Sequence, residues 1–143
     1  MRGVNRSVTV LAVAACALAW STAWAQHGEQ ETKAVEAAKA WLALVDAGKF
    51  SESWDAAGTM FRGAVAKDQW AKMLQANRTP LGKLVSRTVK AKQYATSLPG
   101  APDGQYVVVQ FDTSFQSKKG AVETVTPVLE KDGTWRVVGY FIK

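Results

Sequence analysis

The first half of the chain repeats its apolar residues with the period of a helix. From Lys33 onward these residues fall three and four positions apart, on one side of a helix that Gly48 would end as a C-cap. Ser51 is a candidate N-cap for a short second helix, and residues 67–77 show the helical period again. Pro80 closes this half, because the residue before a proline resists the helical conformation. The apolar stripe of the first predicted helix consists of Ala34, Ala37, Ala38, Trp41, Leu44 and Val45.

The second half of the chain alternates apolar and polar residues, which is the period of a strand. Pro127 marks an edge or a bulge in the third predicted strand, and Asp132-Gly133 predicts a tight hairpin before the last one. Helices followed by antiparallel strands make an α+β domain, with the N-terminal helices packed on a curved four-stranded antiparallel sheet. The predicted strands cover residues 85–92, 106–115, 122–130 and 135–142.

The N-terminal 25 residues have the three zones of a secretory signal peptide. Arg2 and Arg6 supply the positive charge, residues 8–20 are almost entirely apolar, and small residues precede a cleavage point after Ala25. The apolar run is too short to span a bilayer comfortably, and no second run follows it. An uncleaved anchor and lipidation at Cys16 are the alternatives.

Cleavage after Ala25 divides the chain into a signal peptide over residues 1–25, a flexible N-terminus over residues 26–32 and one domain over residues 33–143. The sequence therefore predicts a periplasmic or secreted protein with no stable membrane span after processing. If Cys16 is lipidated instead, the protein is anchored to a membrane through that lipid.

Composition excludes several kinds of chemistry. His27 is the one histidine and Cys16 the one cysteine, and both lie near or within the predicted leader. A Ser-His-Asp arrangement and a zinc site of His and Cys ligands therefore cannot form in the predicted domain, so we predict no metal and no cofactor. Loss of Arg2 and Arg6 would reduce the formal net charge from +6 to +4, which gives no reason to expect nucleic-acid binding. Five lysines form either a basic face or part of an ordinary solvated surface: Lys83, Lys90, Lys92, Lys118 and Lys119.

Several blocks of the sequence resemble a known family over residues 37–143. That family is the secreted bacterial group labelled domain of unknown function 4019. The resemblance implies a cystatin-like fold of the nuclear-transport-factor-2-like kind, and it implies no activity. The blocks that carry it include Asp46-Ala47-Gly48-Lys49-Phe50, Ser53-Trp54, Arg78-Thr79-Pro80-Leu81-Gly82, Ser86-Arg87, Glu123-Thr124-Val125-Thr126, the turn segment over residues 98–106 and the final segment over residues 132–142.

Five residues are candidates for a ligand or cavity site. Arg87 is the charged member of an otherwise apolar strand face, and Glu123 on a neighbouring strand is its natural partner. The pair is either an anion clamp at a cavity floor or an ion pair that holds strand register. Trp54 either belongs to the core or rims a ligand opening. Tyr106, with residues 98–104, forms either a partner loop or a shaped turn. For a catalytic alternative, the candidate bases are Asp55, Asp112 and Glu123, with Tyr106 or Tyr140 as the proton donor.

These observations favour a non-catalytic periplasmic binding or accessory module for a small molecule, peptide or protein partner. The alternative is a cavity enzyme of isomerase or lyase type, which needs a carboxylate of raised pKa inside an open apolar pocket. Inhibition of proteases by analogy with cystatins is weaker, because Val109 stands where the inhibitory hairpin of cystatins has glycine. A homodimer through the open sheet face is a further hypothesis.

Overall fold

A long helix opens the structure. The structure is a computed structural model that describes residues 16–143, with side chains from residue 23 onward. α1 (Cys16–Asp46) begins well before Lys33, so residues 26–32, which we expected to be flexible, are helical. Residues 1–15 lie outside the described residues, as does the side chain of Cys16. These residues hold the charged zone of the predicted signal peptide and part of its apolar zone.

Contacts with the sheet hold the early turns of α1. The His27 ring stacks on Tyr94, with the ring centroids 4.6 Å apart, and Lys92 pairs with Glu31 at 3.5 Å. The periodicity of the chain could not reveal these contacts, because they join residues more than 60 positions apart along the sequence. They extend the helix into a segment whose own composition is polar.

Three shorter helices follow α1: α2 (Phe50–Asp55), α3 (Thr59–Ala64) and α4 (Lys67–Asn77). Gly48 has a φ of +74°, which is the conformation expected of a helix C-cap glycine. On α4, Trp70 and Leu74 are buried as predicted, but Met73 is 46% exposed. A 3-10 helix (Thr79–Leu81) follows α4 and contains Pro80, the residue predicted to close the helical half.

Four antiparallel strands form one sheet in the order β1-β2-β3-β4, as the alternating pattern predicts. Their bounds are β1 (Leu84–Ala95), β2 (Tyr106–Phe115), β3 (Lys118–Leu129) and β4 (Trp135–Ile142). Pro127 lies at a register shift between β3 and β4, which confirms the bulge. Gly133 has a φ of +80° in the hairpin predicted there. The α+β architecture with a four-stranded antiparallel sheet is thus confirmed.

The core lies between α1 and one face of the sheet. Side chains of α1, including Trp41 and Leu42, pack against inward residues of β2, β3 and β4, among them Phe111 and Val125. All four are at most 4% exposed, so side chains fill this space. The prediction that β1 is half-buried is wrong at Val85 and Val89, which are 67% and 40% exposed. Register shifts between β1 and β2 interrupt the alternation at both places.

Candidate functional site

A network of ion pairs lies buried where α1 ends against the sheet. Arg87 on β1 donates from Nε to Oε1 of Glu123 on β3, at 2.7 Å. Its two terminal nitrogens donate to both carboxylate oxygens of Asp46, at 2.7 and 3.0 Å. Glu123 has no exposed surface, and Asp46 is the last residue of α1. One guanidinium therefore connects the end of α1 to the centre of the sheet.

A second arginine completes this network. Arg78, the C-cap of α4, donates to Oδ1 of Asp46 at 3.1 Å and to the carbonyl oxygen of Gly82 at 2.6 Å. Its guanidinium lies over the Phe115 ring, 4.3 Å from the ring centroid. The network therefore has two cations, Arg78 and Arg87, and two carboxylates, those of Asp46 and Glu123. Their formal charges cancel. Cancellation matters because an uncompensated charge in a protein interior is strongly destabilising.

Neutral hydroxyl groups supply the remaining partners of the Glu123 carboxylate. Thr113 on β2 donates its hydroxyl hydrogen to Oε1 at 2.7 Å, and Tyr140 on β4 donates to Oε2. Side chains from all four strands thus meet at this carboxylate, with Arg87 supplied by β1. The register of β2, β3 and β4 places Thr113 and Tyr140 on the same face as Glu123.

The electrostatics of the network appear in two pKa shifts. Burial raises the pKa of Tyr140 well above its usual range, and the charge and hydrogen bond of Glu123 raise it further. For Arg87, burial alone would lower the pKa, but the hydrogen bonds and charges of Asp46 and Glu123 raise it on balance. Both effects hold the ordinary ionisation states: a neutral phenol and a charged guanidinium.

The network does not have the features of a catalytic base. A general base must reach a proton on a substrate, and the Glu123 carboxylate is fully buried. Both of its oxygens already accept hydrogen bonds, and Arg87 neutralises its charge. The pairing of Arg87 with Glu123, predicted from the sequence, is confirmed, and the geometry matches the structural alternative.

The other two candidate residues lie apart from this network. Trp54 donates its indole hydrogen to the carbonyl oxygen of Val65 at 2.7 Å, and the Lys67 ammonium lies 5.5 Å from its ring centroid. Tyr106 is 2% exposed and donates to the carbonyl oxygen of Pro102, which ties down the turn segment before β2. The remaining carboxylates proposed as bases form surface ion pairs, Asp55 with Lys67 and Asp112 with Lys90.

An open groove lies beside the network, between α4 and the end of β4. This α4–β4 groove encloses about 340 Å³, which falls within the usual range for small-molecule sites. Tyr140 and Arg78 of the ion network contribute to its wall, and Asn77 and Lys118 are its other polar residues. The apolar lining consists of Trp70, Met73, Leu74, Leu81, Phe141 and Ile142.

The groove has a positive character. Two of its lining residues are cationic, Arg78 and Lys118, and none is a carboxylate. Lys118 forms no ion pair within the described part of the chain, and the buried Nε of Arg78 has no hydrogen-bond acceptor there. The Nε atom of Arg78 is solvent-inaccessible and its guanidinium is paired with Asp46, so Lys118 supplies the uncompensated positive charge of this groove.

A family model described as "Protein of unknown function (DUF4019)" matches residues 37–140. The chain belongs to this family. No curated protein and no solved structure matches it. The resemblance inferred from the short sequence blocks is thereby confirmed, and the family description assigns no activity.

The DUF4019 match contains every residue of the ion network and most of the α4–β4 groove. Over residues 16–143 of this DUF4019 chain, no three His, Cys, Asp or Glu residues are grouped in a way that could hold a metal ion. In that same part of the chain, no helix is both long and apolar enough to cross a membrane.

Sequence reasoning about this DUF4019 chain missed two kinds of site residue. Asp46 joins the network from the end of α1, and nothing in the strand pattern points to it. Arg78 is different, because an arginine before Thr79-Pro80 is expected to tie the helix end to the sheet, and Arg78 lies over Phe115 of β2. Met73 and Phe141 border the groove as exposed apolar side chains. The opposite charges of Asp46 at the end of α1 and Arg78 just after α4 could have suggested their contact. Neither position alone indicates it.

Proposed function

We propose that this protein is a non-catalytic binding module that works outside the cytoplasm, periplasmic or secreted. Its ligand is a small organic anion with an apolar body, held in the α4–β4 groove. The observation that carries the proposal is the lining of that groove, which is mainly apolar and contains Lys118, a cation without a counter-ion within the described residues.

The chemistry of the groove supports this class of ligand. Its apolar lining favours a hydrocarbon body, since burying apolar surface is the main source of affinity in such sites. Lys118 favours one negatively charged group on that body, because a carboxylate accepts a charge-assisted hydrogen bond from a lysine. A cationic ligand would meet no compensating carboxylate among the lining residues.

The buried network supports a role without catalysis. Among the side chains that the structure describes, the one carboxylate hydrogen-bonded to a tyrosine is Glu123, which is fully buried and already accepts three hydrogen bonds. Isomerase or lyase chemistry needs an accessible carboxylate, so the geometry does not favour the enzyme alternative. Arg87 and Glu123 instead give the groove a rigid floor through Tyr140.

The leader sequence supports the proposed location. A positive start, a short apolar segment and small residues before Ala25 are the features that export machinery recognises. The intact mass of the exported protein tests this proposal: removal of residues 1–25 is expected. A diacylglycerol-modified Cys16, or a chain retained unprocessed inside the cell, would contradict it.

Binding is tested by titrating decanoate into the exported protein, below the concentration at which decanoate forms micelles. Isothermal calorimetry measures the affinity, and Trp70 fluorescence reports occupancy because its ring lines the groove. We expect saturable binding of decanoate and much weaker binding of decanol, which has a similar apolar body without the charge. Lys118→Gln is expected to weaken decanoate binding by about tenfold, the size expected for a lost contact to a charged group.

Lys119→Gln is the matched control, because Lys119 is adjacent and exposed but does not line the groove. It removes the same charge and should leave the decanoate affinity unchanged. Equal binding of decanol and decanoate, equal effects of the two lysine variants, or no saturable binding at all would each contradict the proposed site.

A further inference from the structure

One end of the sheet carries a concentration of basic residues without acidic ones. We call this the basic end: residues 77–86, 114–122 and 139–143, which contain no Asp or Glu. The fold brings these segments together, because Gln116 N donates to the carbonyl oxygen of Lys83 at 2.8 Å and the backbone of Val122 pairs with Lys143. The lysines of the basic end are Lys83, Lys118, Lys119 and Lys143.

Exposed apolar side chains cluster at the same end. Val85 is 67% exposed, Phe141 56% and Leu84 36%. Met73, 46% exposed, lies close by, because it lines the groove together with Phe141 and Lys118. Within the part of the chain whose side chains the structure describes, these are four of the seven large apolar residues that are exposed. Their grouping beside four lysines is not the scatter expected of an ordinary solvated surface.

The acidic residues lie at the opposite end of the sheet. Asp103, Glu130 and Asp132 line a groove between the turn segment before β2 and the β3–β4 hairpin. Arg136 pairs with Glu130 and Asp132, which offsets much of that negative charge. The basic end has no carboxylate in its own segments, so a negatively charged surface would attract this end of the molecule.

We infer that the basic end docks on an anionic membrane surface. Its lysines face the lipid head groups, and Val85 and Phe141 enter the boundary between head groups and acyl chains. Basic residues combined with exposed apolar side chains are the combination that binds proteins to anionic lipid.

The arrangement favours a flat partner over a compact one. Val85 lies on β1 and Phe141 on β4, at opposite edges of the sheet, which separates them by three strand spacings, or roughly 14 Å. An acidic protein would need a matching surface of the same width with fitted pockets for both side chains. A bilayer surface accepts both without any such fit.

This inference does not rest on the proposed ligand of the α4–β4 groove. Lys83, Val85, Lys119 and Lys143 do not line that groove, so variants at these positions separate membrane docking from decanoate binding. Decanoate titration of each variant shows whether the groove is intact.

Sedimentation of the exported protein with lipid vesicles tests the inference. We expect binding to vesicles of phosphatidylcholine mixed with phosphatidylglycerol, and no binding to phosphatidylcholine alone. The neutral vesicles also control for any residual leader, because an apolar leader would bind both kinds. Binding to the anionic vesicles should disappear at about 1 M salt, where the Debye length is only about 3 Å.

Variants then locate the surface. The double variant Lys83→Gln/Lys119→Gln is expected to weaken vesicle binding by about thirtyfold, the loss expected for two lysines near an anionic surface. Lys39→Gln/Lys131→Gln removes the same charge at exposed positions outside the basic end and should change binding by less than about threefold. Val85→Ser is expected to weaken binding several-fold through the apolar contact alone.

Two results would overturn the inference. One is the absence of sedimentation with phosphatidylglycerol vesicles at low salt, which would also be the outcome if the basic end binds an acidic protein. The other is an equal loss of binding in both double variants, since that result would trace the attraction to net charge rather than to this end of the molecule.

Discussion

Replacing Arg87 with methionine should strongly destabilise the fold. The change keeps an apolar stem of similar length but removes the one cation that, among the described side chains, lies within hydrogen-bond distance of Glu123, whose carboxylate is fully buried. Thr113 and Tyr140 would still donate to it, but neither carries a positive charge. Removing one partner of a buried pair typically costs about 3–5 kcal/mol, and we expect a loss in that range for Arg87→Met.

The two halves of this pair should not respond equally. Glu123→Gln leaves Arg87 with its two hydrogen bonds to Asp46, so the remaining charge keeps a carboxylate partner. We expect this variant to cost about 1–3 kcal/mol, the range for buried groups that lose a hydrogen-bond partner. Domains of this kind are stable by about 5–15 kcal/mol, so both variants should remain measurable if the protein lies above the low end of that range.

Chemical denaturation followed by tryptophan fluorescence measures the free energy of unfolding. The matched control is the ion pair between Lys90 and Asp112, which likewise starts from β1 but joins it to β2 and is 48% and 58% exposed. Breaking it with Lys90→Met should cost at most about 1 kcal/mol, because water screens exposed charges. A double-mutant cycle on Arg87 and Glu123 isolates their coupling.

The reasoning is refuted if Arg87→Met costs no more than Lys90→Met, or if the cycle shows no coupling between Arg87 and Glu123. It is also refuted if Glu123→Gln proves the more damaging change, because that would mean that Asp46 does not compensate Arg87 as the geometry indicates.

Three further predictions concern single side chains. Tyr140→Phe should lower the free energy of unfolding at neutral pH. The raised pKa keeps the phenol protonated in the folded state while the unfolded chain loses that proton above about pH 10, so the stability of the wild-type protein falls there. Denaturation curves of the two proteins should therefore converge at high pH. The indole hydrogen of Trp135 has no acceptor among the described residues, whereas that of Trp41 donates to a backbone carbonyl at 2.8 Å. Trp135→Phe should therefore cost about 1–3 kcal/mol less than Trp41→Phe in chemical denaturation, and the opposite order would contradict the assignment. A Cβ at Gly58 would come within 2.5 Å of a valine methyl, so Gly58→Ala should cost about 1–3 kcal/mol by thermal or chemical unfolding, while Gly63→Ala, which meets nothing within 4 Å, should be neutral or stabilising.

Local patterns in the sequence were enough to predict most elements of this fold, but not α3 or the part of α1 before Lys33. Helical spacing placed α1 and α4, alternation placed the strands, and Pro127 and Gly133 marked a bulge and a hairpin where the structure has them. These predictions succeed because each depends on the conformational preferences of a few adjacent residues. The pairing of Arg87 with Glu123 was also predictable, since a buried guanidinium requires an acceptor and few acidic residues share its face.

The tertiary structure alone decided which distant residues share one environment. Asp46 and Arg78 enter the ion network because α1 and α4 end beside the same strands, 32 and 41 positions from their partners along the chain. Val85 is exposed although its pattern resembles that of buried strand residues, because a register shift between β1 and β2 falls at this residue. Burial, charge compensation and groove shape depend on how the elements pack against each other. Local sequence patterns do not specify that packing, so these properties became visible only in the folded structure.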